Sequence, residues 1–238
     1  MNDRTGLRIA IYADGANVEE MVSAYRRGEV DGFTTNPTLM AKAGIPDYHA
    51  FAREVLAAIP NVPISFEVVG DDFAEMDAQA REIAGWGDNI FVKIPVCNTR
   101  GESSAPLVRE LSRDGIKVNV TAVLTLEQVR SVVDAVADDT PAIVSIFAGR
   151  IADTGRDPAP VMRAAVSLCA ARPALRVLWA SPREVLNVYQ AEDCGCHIVA
   201  LTPELLAKLR LRGKNLTEFS RETVQMFYDD AVRAGYKI

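Results

Sequence analysis

Short apolar runs recur along this chain at fairly even intervals, separated by stretches whose apolar residues fall at helical spacing. Eight runs read as strands: 7–14 (LRIAIYAD), 31–35 (DGFTT), 63–69 (PISFEVV), 89–94 (NIFVKI), 116–121 (IKVNVT), 142–147 (AIVSIF), 175–180 (LRVLWA) and 196–201 (CHIVAL). Segments 71–87 and 125–139 show the helical period between them. Helix-start signals agree with this reading. Asn17 has Glu20 three residues on, Thr125 precedes an apolar-periodic run, and Pro158, Pro182 and Pro203 each fall near a first helical turn.

Eight strand–helix repeats in 238 residues is the arithmetic of an α/β (β/α)8 barrel, the TIM-barrel architecture. The rival is a doubly wound sheet, which usually opens on a glycine-rich turn. Here the first run ends at Asp14-Gly15 with no G-x-G-x-x-G. No low-complexity linker marks a boundary, so a single domain spanning 1–238 is expected. Segment 216–238 (LTEFSRETVQMFYDDAVRAGYKI) predicts an extra C-terminal helix. Its apolar face of Phe219, Val224, Phe227 and Ala231 is expected to bury against the barrel or a neighbouring subunit.

Composition narrows the functional classes. Hydrophobic residues make up 49% and charged residues 24%, and the net charge is −6, which argues against nucleic acid or a membrane surface as partner. No apolar stretch reaches the roughly 20 residues of a membrane span. The N-terminal apolar segment is short, with Asp14 close behind it, so no signal peptide is expected and the location expected is cytoplasmic. The four cysteines lack disulfide-scaffold density, and Cys194-Gly-Cys196-His197 has no second ligand pair, so it reads as a helix-to-strand turn. With only His49 and His197, histidine-based catalysis has little to work with, and any chemistry falls to lysine and carboxylates.

The fourth strand run carries the sharpest signal. Ile90, Phe91, Val92 and Ile94 are apolar on both alternating faces, as in a strand covered on both sides, yet Lys93 interrupts them. Burying an unpaired ammonium is costly, and a lysine so placed escapes by giving up its proton. The resulting amine is a nucleophile. Barrels of this class carry their sites at the carboxyl ends of the strands. Those ends hold Asp14, Asn36, Glu67, Lys93, Asn119, Thr121, Ser145, Arg150, Ser181 and Arg183. Several have a plainer reading: Asp14 and Asn36 as turn residues, Thr121 as a β-former, Ser181 as a helix cap and Arg183 as a solvated charge. Glu67 and Lys93 resist one, since each breaks an apolar strand.

In this order, IYADGAN, TTNPTLM, SFEVVGD, FVKIP, VNVTAVLT, SIFAGRIAD and ASPRE resemble the transaldolase family, with a landmark in seven of the eight repeats. The resemblance implies that Lys93 forms a Schiff base with a ketose phosphate, without a metal or organic cofactor. It implies acid/base work by Glu67 through a water held with Thr121, and proton shuttling and donor-hydroxyl contacts by Asp14. Asn36, Asn119 and Ser145 would hold the dihydroxyacetone fragment, and Arg150, Ser181 and Arg183 the terminal phosphate. The related fructose-6-phosphate aldolases, which release free dihydroxyacetone, place Gln at the position of Glu67 and Tyr at that of Phe147. Glu67 and Phe147 thus favour transfer over release. The loop 95–106 is longer and more polar than the family's usual turn. Short relatives form pentameric rings, often paired, so a homo-oligomer is expected, with a pentamer or decamer ahead of a dimer.

Overall fold

A computed structural model describes residues 6–237. The eight predicted strands form in order and close: β1 (Ala10–Asp14), β2 (Gly32–Thr34), β3 (Ile64–Glu67), β4 (Ile90–Pro95), β5 (Val118–Val123), β6 (Ala142–Ile146), β7 (Leu175–Trp179) and β8 (Ile198–Leu201). Each pairs in parallel with its neighbours, and β8 pairs back to β1, giving a closed (β/α)8 barrel. The helices are α1 (Val18–Arg26), α2 (Pro37–Lys42), α3 (Tyr48–Ala58), α4 (Phe73–Ala84), α5 (Ala105–Arg113), α6 (Leu126–Ala135), α7 (Ala148–Asp153), α8 (Ala159–Cys169), α9 (Leu186–Asp193), α10 (Pro203–Lys208) and α11 (Leu216–Ala234).

The alternation of side chains decides what the barrel interior contains. Tyr12, Ile143, Leu178, Ala180, Ile198 and Ala200 form one buried cluster, with Phe91 and Phe147 packed against it. Two residues along from Tyr12, Phe91 and Ile143 lie Asp14, Lys93 and Ser145, on the same inner face and nearer the carboxyl ends. Register carries that face around the barrel, since Glu67 pairs with Lys93 and Lys93 with Asn119. The opposite face of the strands (Phe33, Phe66, Val92, Val120, Val144, Val177 and Trp179) is fully buried. So are the helix positions Val55, Met76, Leu111, Val129, Met162 and Val188. Fully burying one such side chain contributes about 1.5–3 kcal/mol, so this outer layer is the main stabilising core.

The caps largely follow the expected signals. Asn17 accepts from Glu20 N at 3.1 Å, and Thr125 with Gln128 completes a reciprocal capping box on α6. Pro203 opens α10 and Pro158 caps α8. Pro182 differs, because α9 begins only at Leu186. Ser181 sits in the left-handed region at φ 57, and the Arg183 and Glu184 amides both donate to Asn187 Oδ1. That side chain satisfies the amides that an earlier helix start would have left open.

The chain divides into two compact units, one running through Leu206 and the other from Ala207 to the end. In the second, α11 is capped by Asn215 accepting from Glu218 N at 3.1 Å and is closed by Gly235 at φ 68. Within that unit nothing covers Val224, Phe227 or Val232. Among the described residues no helix is long and apolar enough to cross a membrane.

Candidate active site

Lys93 lies mid-barrel on β4, 5% exposed, with β3 and β5 on either side. Its Nζ donates to Thr35 O at 3.0 Å and lies 3.1 Å from Glu67 Oε2. Glu67 ends β3, where its backbone is held by a residue from another element. The Tyr48 hydroxyl, on α3, donates to Glu67 O at 2.9 Å and accepts from Glu67 N at 2.8 Å. Burial pushes the Tyr48 hydroxyl above its ordinary range, so it keeps its proton and serves both roles.

Asp14 closes β1 and accepts from Thr34 Oγ1 at 3.0 Å. Burial raises both the Asp14 and the Glu67 carboxyls, and the Lys93 charge opposes the rise in each. For Glu67, the Asp14 charge adds to the rise. Two buried carboxyls held above their usual range beside one amine mark the kind of cluster in which acid/base residues are found.

The next wall is a chain of neutral donors and acceptors. Ser145 Oγ donates to Asn119 Oδ1 at 2.6 Å, and Asn119 Nδ2 donates to Ser65 Oγ at 3.0 Å. Both ends of the Asn119 amide are thereby fixed, and the residue is fully buried. Thr121 follows on β5 at a break in register, where Ala122 takes φ 59. Such a bulge re-aims the side chain beside it. Thr121 Oγ1 is buried and takes no protein partner among the described residues, which leaves it available to a water or a substrate hydroxyl. Asn36 uses one lone pair of its Oδ1 to cap α2, accepting from Leu39 N at 2.9 Å, and keeps both amide hydrogens. Pro37 behind it takes the first helical position, where its missing N–H costs nothing.

A second group lies beyond β6 and β7. Phe147 caps α7 and packs on the interior cluster, and the Arg150 guanidinium sits over its ring at 5.4 Å. Ser181 follows β7, and a Cβ built on Gly149 would fall 1.5 Å from Ser181 O. Only glycine lets α7 approach this closely. Arg183 Nε donates to Asp153 Oδ1 at 3.0 Å, and its Nη2 pairs with Oδ2 of the same carboxylate.

The polar loop after β4 is an ordered hairpin. Cys97 bridges Ser103, Asn98 N donates to Glu102 O at 3.0 Å, and Thr99 N and Oγ1 donate to Asp71 at 2.7 Å each. The histidines and cysteines stand apart from the site. His197 Nδ1 accepts from Val177 N at 3.0 Å, and Gly195 at φ 79 turns the chain between Cys194 and Cys196. Among the described residues no cluster of three His, Cys, Asp or Glu side chains is arranged to hold a metal.

The fold therefore gathers Asp14, Glu67, Lys93, Asn119, Thr121 and Ser145 on one inner face. Arg150, Ser181 and Arg183 meet around α7, and Asn36 stands at the start of α2. Sequence reasoning missed Tyr48, Ser65, Thr34 and Asp153. Of these only Ser65, a polar residue inside an apolar strand run, left a readable signal. A buried amine flanked by two carboxyls of raised pKa and a fixed amide is equipped to form an imine with a carbonyl and to move protons around it.

Comparisons with known proteins agree with that chemistry. The family described as transaldolase/fructose-6-phosphate aldolase matches residues 11–238. A probable transaldolase of Dehalococcoides mccartyi is 35% identical over 200 residues, covering 84% of this chain and 89% of that protein. One from a Thermoanaerobacter species is 33% identical over 228 residues, covering 95% and 99%. Among solved structures, KGPDC from Streptococcus mutans superposes with TM-score 0.58 at 12% identity, over 84% of this chain and 91% of that one. The last likeness speaks for the barrel alone. By the extent of the family match and the identity of its relatives, the chain belongs to the transaldolase/fructose-6-phosphate aldolase family.

Proposed function

We propose that this chain is a transaldolase, moving a dihydroxyacetone unit from a ketose phosphate of the fructose 6-phosphate or sedoheptulose 7-phosphate type to an aldose phosphate. The observation that carries the reading is Lys93, buried in the barrel with Nζ 3.1 Å from a carboxylate that burial holds above its usual range.

In the reaction, the free Lys93 amine attacks the C2 carbonyl of the donor and forms a carbinolamine. Loss of water gives an iminium ion, with Asp14 supplying and accepting the protons. The C4 hydroxyl proton then leaves to Glu67 through a water held by Thr121. The electrons of the C3–C4 bond move into the iminium, giving an enamine and a departing aldehyde. Asn119 and Ser145 hold the enamine's oxygens, with the Asn36 amide beside them. Attack of the enamine on an acceptor aldehyde and the reverse steps release the new ketose phosphate and free Lys93. Arg150, Ser181 and Arg183 bind the terminal phosphate, where guanidinium geometry suits paired oxygens.

The competing reading is a lyase that protonates the enamine and releases dihydroxyacetone. Phe147, on the interior cluster beneath Arg150, favours transfer, because a phenyl ring carries no proton and excludes water from that wall. The same reading carries a cytoplasmic enzyme of pentose-phosphate or related sugar metabolism, assembled as a homo-oligomer. The test is a product ratio. With fructose 6-phosphate as donor and an aldose phosphate present, transfer product should far exceed free dihydroxyacetone, and Phe147→Tyr should shift the ratio toward release. A wild-type enzyme that releases dihydroxyacetone freely without acceptor would establish the lyase instead.

A further inference from the structure

Asp153 is the last residue of α7, a position where a carboxylate faces the negative end of the helix and has only the Arg150 charge, three residues back, to favour it locally. What it meets instead is Arg183, the residue two beyond Ser181. Their pairing uses the side-on edge of the guanidinium: Nε to Oδ1 at 3.0 Å, and Nη2 to Oδ2. A guanidinium has five N–H donors in a planar fork, so this leaves both hydrogens of Nη1 and one of Nη2. The free Nη2 hydrogen and the Nη1 hydrogen beside it form the end-on edge, which can take two oxygens of an anion while Asp153 stays in place. Among the described residues no hydrogen bond or ion pair occupies that edge.

The frame around the pair is closed at both ends. The Arg183 amide donates to Asn187 Oδ1 at 2.7 Å, which fixes the start of its side chain. Asp153 is fixed by α7, whose Gly149 N donates to Ala180 O at 3.3 Å and whose Gly149 Cα abuts Ser181. The chain thus runs from β6 through α7 to Asp153, across to Arg183, and back through Ser181 to β7. Both partners are about half exposed, so an unpaired Arg183 would sweep many rotamers. The Arg183 hydrogen bond also holds the Asp153 carboxyl below its usual range, so the clamp stays ionised at neutral pH.

We infer that Asp153 is a positioning residue, holding Arg183 by one edge of its guanidinium so that the other edge is presented, preorganised, to the substrate phosphate. The inference rests on the phosphate-binding role given to Arg183 above and extends it to a residue that never touches the substrate. Electrostatics alone predicts the opposite outcome, since removing a nearby negative charge should tighten anion binding. The two accounts are therefore separable by sign.

The test uses the whole enzyme, comparing wild type with Asp153→Asn, Asp153→Glu, Arg183→Ala and the Arg183→Ala/Asp153→Asn double variant. Two quantities are read: KM and kcat with fructose 6-phosphate as donor, and the inhibition constant of inorganic phosphate. Asp153→Asn should raise KM and the phosphate inhibition constant about tenfold, the loss falling on KM rather than kcat. Asp153→Glu should recover part of it, and the double variant should be no worse than Arg183→Ala alone, because Asp153 acts only through Arg183. Phosphate held equally or more tightly by Asp153→Asn, while Arg183→Ala loses it, would overturn the role of Asp153 and leave that of Arg183 standing. Undiminished phosphate binding in Arg183→Ala would overturn the phosphate reading itself. A double variant clearly worse than Arg183→Ala would also overturn the inference, by showing that Asp153 acts independently.

Discussion

Thr121 Oγ1 is a buried polar atom with no protein partner among the described residues, and such a group costs about 1–3 kcal/mol of stability. A protein gains from carrying it only if something else uses it. Thr121→Val keeps the shape and removes the hydroxyl, so the fold should be unchanged or steadier by about 1 kcal/mol in a urea titration. The rate should fall by roughly 100-fold or more, because the water between Glu67 and the donor hydroxyl loses its holder. Lower stability with full activity would mean that Thr121 serves only packing. Asp14 makes a parallel case through pH. Its folded carboxyl is raised by burial, so the folded state holds the proton more tightly than the unfolded chain does. The stability this gives is fully present below the unfolded value and is lost as pH rises through the folded one. At pH 7 the buried carboxyl is therefore a net cost, and Asp14→Asn should melt higher than wild type. That advantage should shrink as pH is lowered toward 4, the ordinary range of an aspartate. An advantage that does not change with pH would mean the carboxyl is not the cause.

Of the described glycines, Gly149 on α7 leaves the least room for a side chain. A methyl at Gly149 meets the Ser181 carbonyl at 1.5 Å, so Gly149→Ala must push α7 and the β7 loop apart. Such overpacking costs about 1–3 kcal/mol, and here it should also raise KM for phosphorylated substrates, since Arg150 and Arg183 ride on the displaced segments. Thr125→Ala is the contrast. Breaking the α6 capping box should cost about 1 kcal/mol and leave KM and kcat alone, as α6 supplies no proposed site residue. Equal kinetic damage in both would show that the α7 contact has no special link to the phosphate end. All eight strands were legible from their apolar runs, although the structure trims six, 7–14 becoming Ala10–Asp14 and 31–35 becoming Gly32–Thr34, and shifts two, 89–94 to Ile90–Pro95 and 116–121 to Val118–Val123. Of the excess residues in the first two runs, Leu7 and Ile9 are apolar while Arg8, Asp31 and Thr35 are polar, and all lie outside the strands. Six-residue helices such as α2 and α7 were not legible, because they are too short to show a period; Asn36-Pro37 read equally as a turn, and Phe147 as the end of the sixth strand run. Pro182 misled for the reason seen at Asn187, a side chain five residues on that satisfies the amides a cap would otherwise serve.

Over the whole barrel, closure turns residues scattered from position 14 to position 145 into neighbours on one inner face. Lys93 and Glu67 were legible because a charge inside an apolar strand has no innocent explanation. Tyr48 and Asp153 were not, since a polar residue on an amphipathic helix is the ordinary case and only three-dimensional closure shows what it reaches. The account stands or falls on the chemistry of one nitrogen. Incubating the enzyme with fructose 6-phosphate and sodium borohydride, then mapping the modified peptide by mass spectrometry, tests it directly. The account predicts a reduced sugar-derived adduct on Lys93, within residues 89–95, and none in Lys93→Ala, which should also be inactive. An adduct on another lysine, no adduct at all, or an active Lys93→Ala would contradict it.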